Sequence, residues 1–372
     1  MSNALRLALL VDPLMVRLGA AEHAGELAAA LAERGHEVCA FGADLHGAGS
    51  AQVRSGPAAA LSVLGFRPDA VLAYDALSPA AWLGSRIARR RRIPLVLIED
   101  GAFHGGTAIA RLLRRGGQTF WGSYVRRSAG AVVALDPLAR EQALREGFRE
   151  GRIRVLPHGV DLERYRAGLA SPLLARHRIR GRFLLCAGPL DERSGAEGLI
   201  AAFARTVGQR GDWALVLAAH GHAPPWLRAC ADRLGVGALV HFLRPAPDEL
   251  PALVSSSTLY AAPSLDGAAG GAQLARAMAC GRAVIASDIP RHGWLVEHER
   301  TGLLARPGDL AGWTAALARA AGAPEARARW GRQARAAAEA RLGWSAIVRE
   351  LEGAIGVAPL ARAARLGAPK RA

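Results

Sequence analysis

The sequence predicts an α/β protein built from two Rossmann-like, doubly wound domains. Three observations carry that expectation. The chain has 372 residues, more than one hydrophobic core usually organises, so two domains are the natural division. Apolar runs of strand length alternate with longer helical patterns, which is the arrangement of parallel βαβ units. The alternation occurs twice, and a polar stretch near residues 161–180 separates the two series.

In the first series, residues 5–11 (LRLALLV) read as a strand and 20–34 as an alanine- and leucine-rich helix ended by Gly35. Strands follow at 37–41, 69–73, 94–98, 129–135 and 153–156, with a helix over 79–92. In the second series the strands fall at 182–187, 214–218, 239–242, 259–262 and 283–286. Helices are expected at 195–207, 226–234 and 272–279, the last capped by Gly281. The alanine-rich region 315–342 and a helix near 345–355 close the fold, and a basic tail follows over 361–372. The expected division is an N-terminal domain over 1–165, a C-terminal domain over 166–345, and a C-terminal helix and tail over 346–372.

Composition narrows the function classes. The four cysteines, Cys39, Cys186, Cys230 and Cys280, are far apart and form no C-x-x-C pair, so neither a zinc site nor a disulfide framework is suggested, and scattered thiols fit a reducing cytosol. The opening MSNALRLALLVDP has too short an apolar run for a signal sequence and reads as a first buried strand. No apolar stretch is long enough to predict a membrane-spanning helix. The net charge is +16, carried almost wholly by arginine, with Lys370 the only lysine. Arg86, Arg89, Arg90, Arg91, Arg92, Arg111, Arg114, Arg115, Arg126 and Arg127 cluster in sequence, a patch suited to an anionic membrane surface or acceptor. With few aromatic residues to stack on bases, a nucleic-acid partner is not expected.

Ligands of open α/β sheets bind outside the carboxyl ends of the strands, so the loops after strands carry the chemistry. Gly19-Ala20-Ala21-Glu22 opens a helix after the first strand, where backbone amides and the helix N-terminus favour an anion. Taken with LAAALAERGHEV it resembles the "GGAE" opening of the retaining family 4 glycosyltransferases. Five further segments match that family in order. They are FRPDAVLAYD (66–75), LPHGVDLERY (156–165), CAGPLDERSG (186–195), APSLDGAAGGAQLARAMACGRAVIASDIP (262–290) and RTGLLARPGD (300–309). The resemblance covers about nine-tenths of the chain. It implies the GT-B fold, two Rossmann-like domains facing an interdomain cleft with a C-terminal helix packing back.

What the resemblance implies about chemistry is less uniform. The family's "GRLxxxKG" arginine and lysine, which neutralise the donor diphosphate, are Pro189 and Ser194 here, with Arg193 adjacent. The family's E-x7-E carboxylates fall on Ala268 and Arg276, with Asp266 the nearby carboxylate. Arginine has donors and no acceptor, so it suits a phosphate rather than a ribose hydroxyl. A third acidic position is Trp294, with Glu297 three residues on. Gly19, Arg193, Asp266, Gly267, Gly270, Gly271 and Arg276 are therefore the expected donor-binding residues. Asp100 falls where the family has an acceptor-side histidine, and an Asp100–His104 pair is the expected catalytic couple. His158, His220 and His222 read as loop residues.

The implied function is transfer of a sugar from a nucleotide-diphosphate donor to a glycan or lipid-linked acceptor, with retention. No metal or other cofactor is expected, and the place is the cytoplasm or the inner membrane face. The alternative is a catalytically impaired GT-B protein that binds or scaffolds an active transferase, since several ligand-contacting side chains have changed together.

Overall fold

The computed structural model describes residues 4–13, 18–42, 45, 47–55, 59–101, 112, 115–219, 224–266 and 271–363. The chain divides into two compact units, Met1–Gly159 with Trp344–Ala372, and Val160–Gly343. Each contains one wholly parallel sheet of the doubly wound kind.

The first unit has seven strands in the order β3-β2-β1-β4-β5-β6-β7. They are β1 (Arg6–Val11), β2 (Glu37–Gly42), β3 (Gln52–Ser55), β4 (Ala70–Tyr74), β5 (Leu95–Glu99), β6 (Ala131–Ala134) and β7 (Ile153–Val155). The inner strands are buried on both faces, which is why Leu7–Val11 and Val71–Tyr74 run apolar without alternation. The sequence also fixes where helices start and stop. Ser78 caps the Pro79–Arg91 helix by accepting from the Ala81 amide at 3.0 Å, and Pro79 fits the first helical position, where no amide partner is needed. Arg89, Arg90 and Arg91 fill its last turn, where cations offset the carbonyl dipoles, and Arg92 ends it in the left-handed conformation. Edge strand β3 escapes sequence reading because all four of its residues are exposed and carry no burial pattern.

The chain returns to this unit with the Trp344–Ala363 helix. Trp344, Ile347, Val348, Leu351, Ala354 and Ile355 recur at helical spacing and pack with Leu7, Leu9, Val96 and Ile98 in one core. The outer turn of that helix is tied electrostatically. Glu352 accepts from Arg34 Nε at 2.9 Å and Nη2 at 3.0 Å, and meets His36 Nε2 at 2.9 Å.

The second unit has six strands in the order β10-β9-β8-β11-β12-β13. They are β8 (Arg182–Ala187), β9 (Trp213–Ala218), β10 (Val240–Leu243), β11 (Leu259–Ala262), β12 (Val284–Ser287) and β13 (Gly302–Ala305). The last of these lies within the 300–309 segment, where no strand was expected from the sequence. Helices Ala196–Ala204, Pro225–Arg233, Leu250–Ser256, Gly271–Ala279, Leu310–Gly322 and Pro324–Arg341 complete it. Two cores fill the unit, and Trp213 and Trp330, both fully buried, anchor one of them. Trp330 satisfies its indole N–H on the Glu299 carbonyl at 2.7 Å.

The Arg34 bond, and then His36, hold the Glu352 carboxyl below the usual carboxylate range. A carboxyl depressed in the folded state stabilises above its unfolded value, and that contribution is lost as pH falls through the folded value. Glu352→Gln is therefore expected to lower the melting temperature at pH 7, with the deficit against wild type shrinking as the pH is lowered through the acid range. Thermal unfolding across a pH series checks this, and a deficit that does not change with pH would refute the ion-pair account.

Candidate functional site

In the second unit the strand order reverses beside β8, which has β9 on one side and β11 on the other. Crevices open at such points, at the carboxyl ends of the strands. The two loops that leave those ends are interlocked. After β8 the chain makes a tight turn in which Arg193 N donates to Asp191 Oδ1 at 3.1 Å and Ser194 Oγ donates to the Asp191 carbonyl at 2.6 Å. Gly195 then enters the Ala196–Ala204 helix with φ 72°, in the left-handed region. A Cβ on Gly195 would lie 1.9 Å from the Pro263 carbonyl oxygen, so only glycine lets the β8 loop press against the β11 loop. The Leu265 amide donates to the Arg193 carbonyl at 2.9 Å, and Arg193 Nη1 meets Asp266 Oδ2 at 3.1 Å. Arg193 and Asp266, both expected donor residues, thus stand side by side and half-exposed.

The other expected donor residues are distributed differently. Gly267 and Gly270 lie outside the described residues. Gly271 is the first residue of the Gly271–Ala279 helix. Behind it lies the buried Arg291, whose Cδ would be 3.2 Å from a Cβ placed on Gly271. Arg276 is only 2% exposed, and its guanidinium stands 5.2 Å from the centre of the Tyr165 ring. Nearby Tyr260 donates to the Ala187 carbonyl at the end of β8 at 3.0 Å. Burial first, and then the Cys186 charge, push its phenol well above the usual range, so it stays a neutral donor. Sequence reasoning missed Arg291 and Tyr165. Arg291 follows Pro290 in a one-turn helix, where nothing in the spacing shows which way a side chain turns. Trp294, expected at a family acidic position, is half-buried with Arg341 over its ring at 5.3 Å, and Glu297 pairs with Arg300 at 2.6 Å.

In the first unit the reversal lies at β1, between β2 and β4. The carboxyl ends of its strands lead into a row of polar residues: Asp12 after β1, Asp75 after β4, Asp100 after β5, Asp136 after β6 and His158 after β7. Asp100 meets His158 Nε2 at 3.4 Å. The His158 ring packs edge-on against His23 at 4.7 Å, and His23 Nδ1 lies 2.5 Å from the Tyr74 hydroxyl. Trp344 closes one side of His23 at 5.4 Å. Burial, with the Asp100 charge second, keeps the Tyr74 phenol well above its usual range. Three β-strand ends and the first helix therefore bring a carboxylate, two imidazoles and a phenol into contact. His104 lies outside the described residues, as do His220 and His222. Among the described residues, the loop residue His158 sets an imidazole beside Asp100. Gly19 is the second residue of the Leu18–Glu33 helix. Among the described residues, no group of three or more His, Cys, Asp or Glu side chains is placed to hold a metal ion.

Comparison with known proteins places this architecture. The profile of "Glycosyltransferase Family 4" matches residues 18–164, and that of "Glycosyl transferases group 1" matches 181–322. A phosphatidyl-myo-inositol mannosyltransferase from Mycolicibacterium smegmatis is 30% identical over 187 residues, covering 50% of this chain and 46% of that one. A D-inositol 3-phosphate glycosyltransferase from Nocardia farcinica is 28% identical over 265 residues, covering 66% and 58%. The chain thus spans about half the length of the curated relatives it matches. Among solved structures, HepE from Anabaena in complex with UDP and glucose superposes with a TM-score of 0.76 at 19% identity, covering 95% of this chain and 99% of that one. A glycosyltransferase from Rickettsia africae superposes with a TM-score of 0.80 at 14% identity, covering 96% and 99%. Those likenesses show the fold, and the sequence matches show the lineage: the chain is a member of the GT-B glycosyltransferases, of the group 1 and family 4 type.

Proposed function

We propose that the protein transfers a sugar from a nucleotide-diphosphate donor to a glycan or lipid-linked acceptor, with retention and without a metal or other cofactor. The observation that carries this reading is the interlocked pair of loops at the β8 reversal, in the part of the chain that matches the group 1 profile. HepE, whose fold the chain shares, holds UDP and UDP-glucose. On this reading Arg193 and the amides opening the Gly271–Ala279 helix take the diphosphate. Asp266, held 3.1 Å from Arg193, accepts from hydroxyls of the transferred sugar. The protein then contributes positioning and stabilisation of the charge that develops on the departing diphosphate. Asp100, with His104 or His158, orients the acceptor hydroxyl.

One observation favours the alternative of a binding or scaffold protein. Arg276 stands where the family has its ribose-binding carboxylate, and it is turned against Tyr165. A thermal-shift panel of UDP, GDP, ADP, TDP and CMP with their sugars separates the two. A nucleotide at 100 times its dissociation constant stabilises by about 2.7 kcal/mol. The transferase reading expects one nucleotide family to shift the transition, and no shift with any of them would favour the scaffold. Arg193→Ala should weaken the bare nucleoside diphosphate, whereas Asp266→Ala should weaken the nucleotide sugar more than the diphosphate. Equal losses in both variants would contradict the separate roles. Arg276→Ala should weaken the diphosphate more than the nucleoside if Arg276 serves the donor.

The acceptor side carries the basic patch. Arg86, Arg89, Arg90, Arg91, Arg92, Arg115, Arg126 and Arg127 belong to described segments, while Arg111 and Arg114 lie outside them. Phe120 is 81% and Leu112 71% exposed in the same stretch, and Arg86 and Arg89 lie over the rings of Trp82 and Tyr124 at 5.0 and 5.1 Å. Apolar tips among arginines suit an anionic lipid surface, where each cation contributes about 1 kcal/mol. The relatives named above act on phosphatidyl-myo-inositol and D-inositol 3-phosphate, which fits an anionic acceptor used at the cytoplasmic membrane face. No helix among the described residues is long and apolar enough to cross a membrane. Sedimentation with phosphatidylglycerol-containing vesicles should be strong at low salt and lost with Arg89→Glu/Arg90→Glu/Phe120→Ser. Equal binding by that variant would remove the patch from the reading.

A further inference from the structure

The second unit has a recess at the amino ends of β11 and β12, opposite the donor loops. It lies against the residues that precede β11 and β12 and the start of the Pro324–Arg341 helix. One donor loop leaves the other end of β11 and the second leaves neighbouring β8, a strand length or about 13–20 Å away. The recess holds about 630 Å³. Four arginines line it, Arg282, Arg327, Arg332 and Arg335, and no carboxylate does.

The four arginines are not equivalent. Arg335 bonds the Ala279, Leu162 and Tyr165 carbonyls through Nη1, and Glu339 through Nε. Arg282 reaches the Cys280 and Ser257 carbonyls at 3.1 Å each, and Arg327 Nη1 the Ala320 carbonyl at 2.7 Å. These bonds to neutral carbonyls hold the guanidinium groups in place without cancelling their charge. Arg332 is exposed and makes no ion pair among the described residues. Burial lowers the affinity of Arg282 and Arg327 for their protons, and the nearby Arg182 charge adds to this at Arg327. Guanidinium groups remain charged in proteins, so two partly buried cations, Arg282 and Arg327, stand with the exposed Arg332 without a counter-charge in the lining. That arrangement is costly when empty and is relieved by a multiply charged anion. The helix that starts at Pro324 has no side-chain cap and carries Glu325 in its first turn, and a helix N-terminus favours anions.

We infer that this recess is a second anion site, separate from the donor loops, that takes a soluble phosphorylated small molecule on Arg282, Arg327 and Arg332. The ligand class follows from the chemistry. Planar guanidinium groups match phosphate oxygens, and the volume exceeds what a single inorganic ion needs. The inference does not depend on the proposed transferase activity, because it uses none of the donor or acceptor residues.

Isothermal titration of the full chain at low salt with pyrophosphate and with glucose 6-phosphate tests it. Wild type should show saturable binding of at least one of them. Arg332→Glu, at an exposed position without structural bonds, should weaken that binding by at least about tenfold, the effect of losing one charge-assisted contact and adding a repulsive one. Arg193→Ala should leave the Arg332-dependent binding unchanged, which separates this site from any binding at the donor loops. Absence of binding by wild type, or equal binding by Arg332→Glu, would overturn the inference. So would Arg332-dependent binding to phosphatidylglycerol vesicles with no binding of either soluble anion, since the occupant would then be a lipid headgroup.

Discussion

One close approach organises the second unit's functional edge: the glycine at 195 against the Pro263 carbonyl. With a would-be Cβ only 1.9 Å from that oxygen and φ at 72°, no other residue lets the two loops meet. Everything on the donor side follows from it. The Leu265 amide reaches the Arg193 carbonyl, the Arg193 and Asp266 side chains come within 3.1 Å, and both are presented at the reversal of strand order. Interlocked backbone, rather than a long flexible lysine, then sets where charge is offered. On the proposed reading, such fixed geometry stands in for the family side chains absent here, because preorganised donors need no rearrangement when charge develops.

The first unit uses a different device. The carboxyl ends of its strands are organised by buried and partly buried polar contacts and ring contacts among His23, Tyr74, Asp100 and His158, with Trp344 against His23. Trp344 belongs to the helix that begins after the second unit ends. The chain's return therefore completes the polar cluster as well as the apolar core. Gly159 shows the same dependence: a Cβ there would stand 2.3 Å from the Trp344 ring.

Much of this was legible in the sequence, and the failures have physical reasons. Both sheets were readable because their inner strands are apolar on two faces, so six of the seven and five of the six strands stand out as short continuous runs. The missing ones, Gln52–Ser55 and Gly302–Ala305, are four-residue strands at sheet edges, too short or too exposed to leave a pattern. The helix at Trp344 was visible through its spacing, but its attachment to the first unit is a long-range contact that no local pattern encodes. At the site, the Arg193–Asp266 pairing came from two loops that the family motifs placed in order. The burial of Arg276 against Tyr165 was not foreseeable, since a helical position fixes a direction only once its neighbours are known. The Asp100–His158 contact likewise joins residues 58 apart, which spacing alone does not show, and His104 lies outside the described residues.

The proposed seat of the diphosphate is the pair of loops at 188–195 and 263–266, locked together at Gly195. Calorimetric titration of a nucleoside diphosphate that binds wild type into Gly195→Ala tests it most directly, with circular dichroism confirming that the variant is folded. Pushing the loops apart should abolish or sharply weaken that binding while the nucleoside binds much as before. Unaltered diphosphate affinity in a folded Gly195→Ala protein would contradict it.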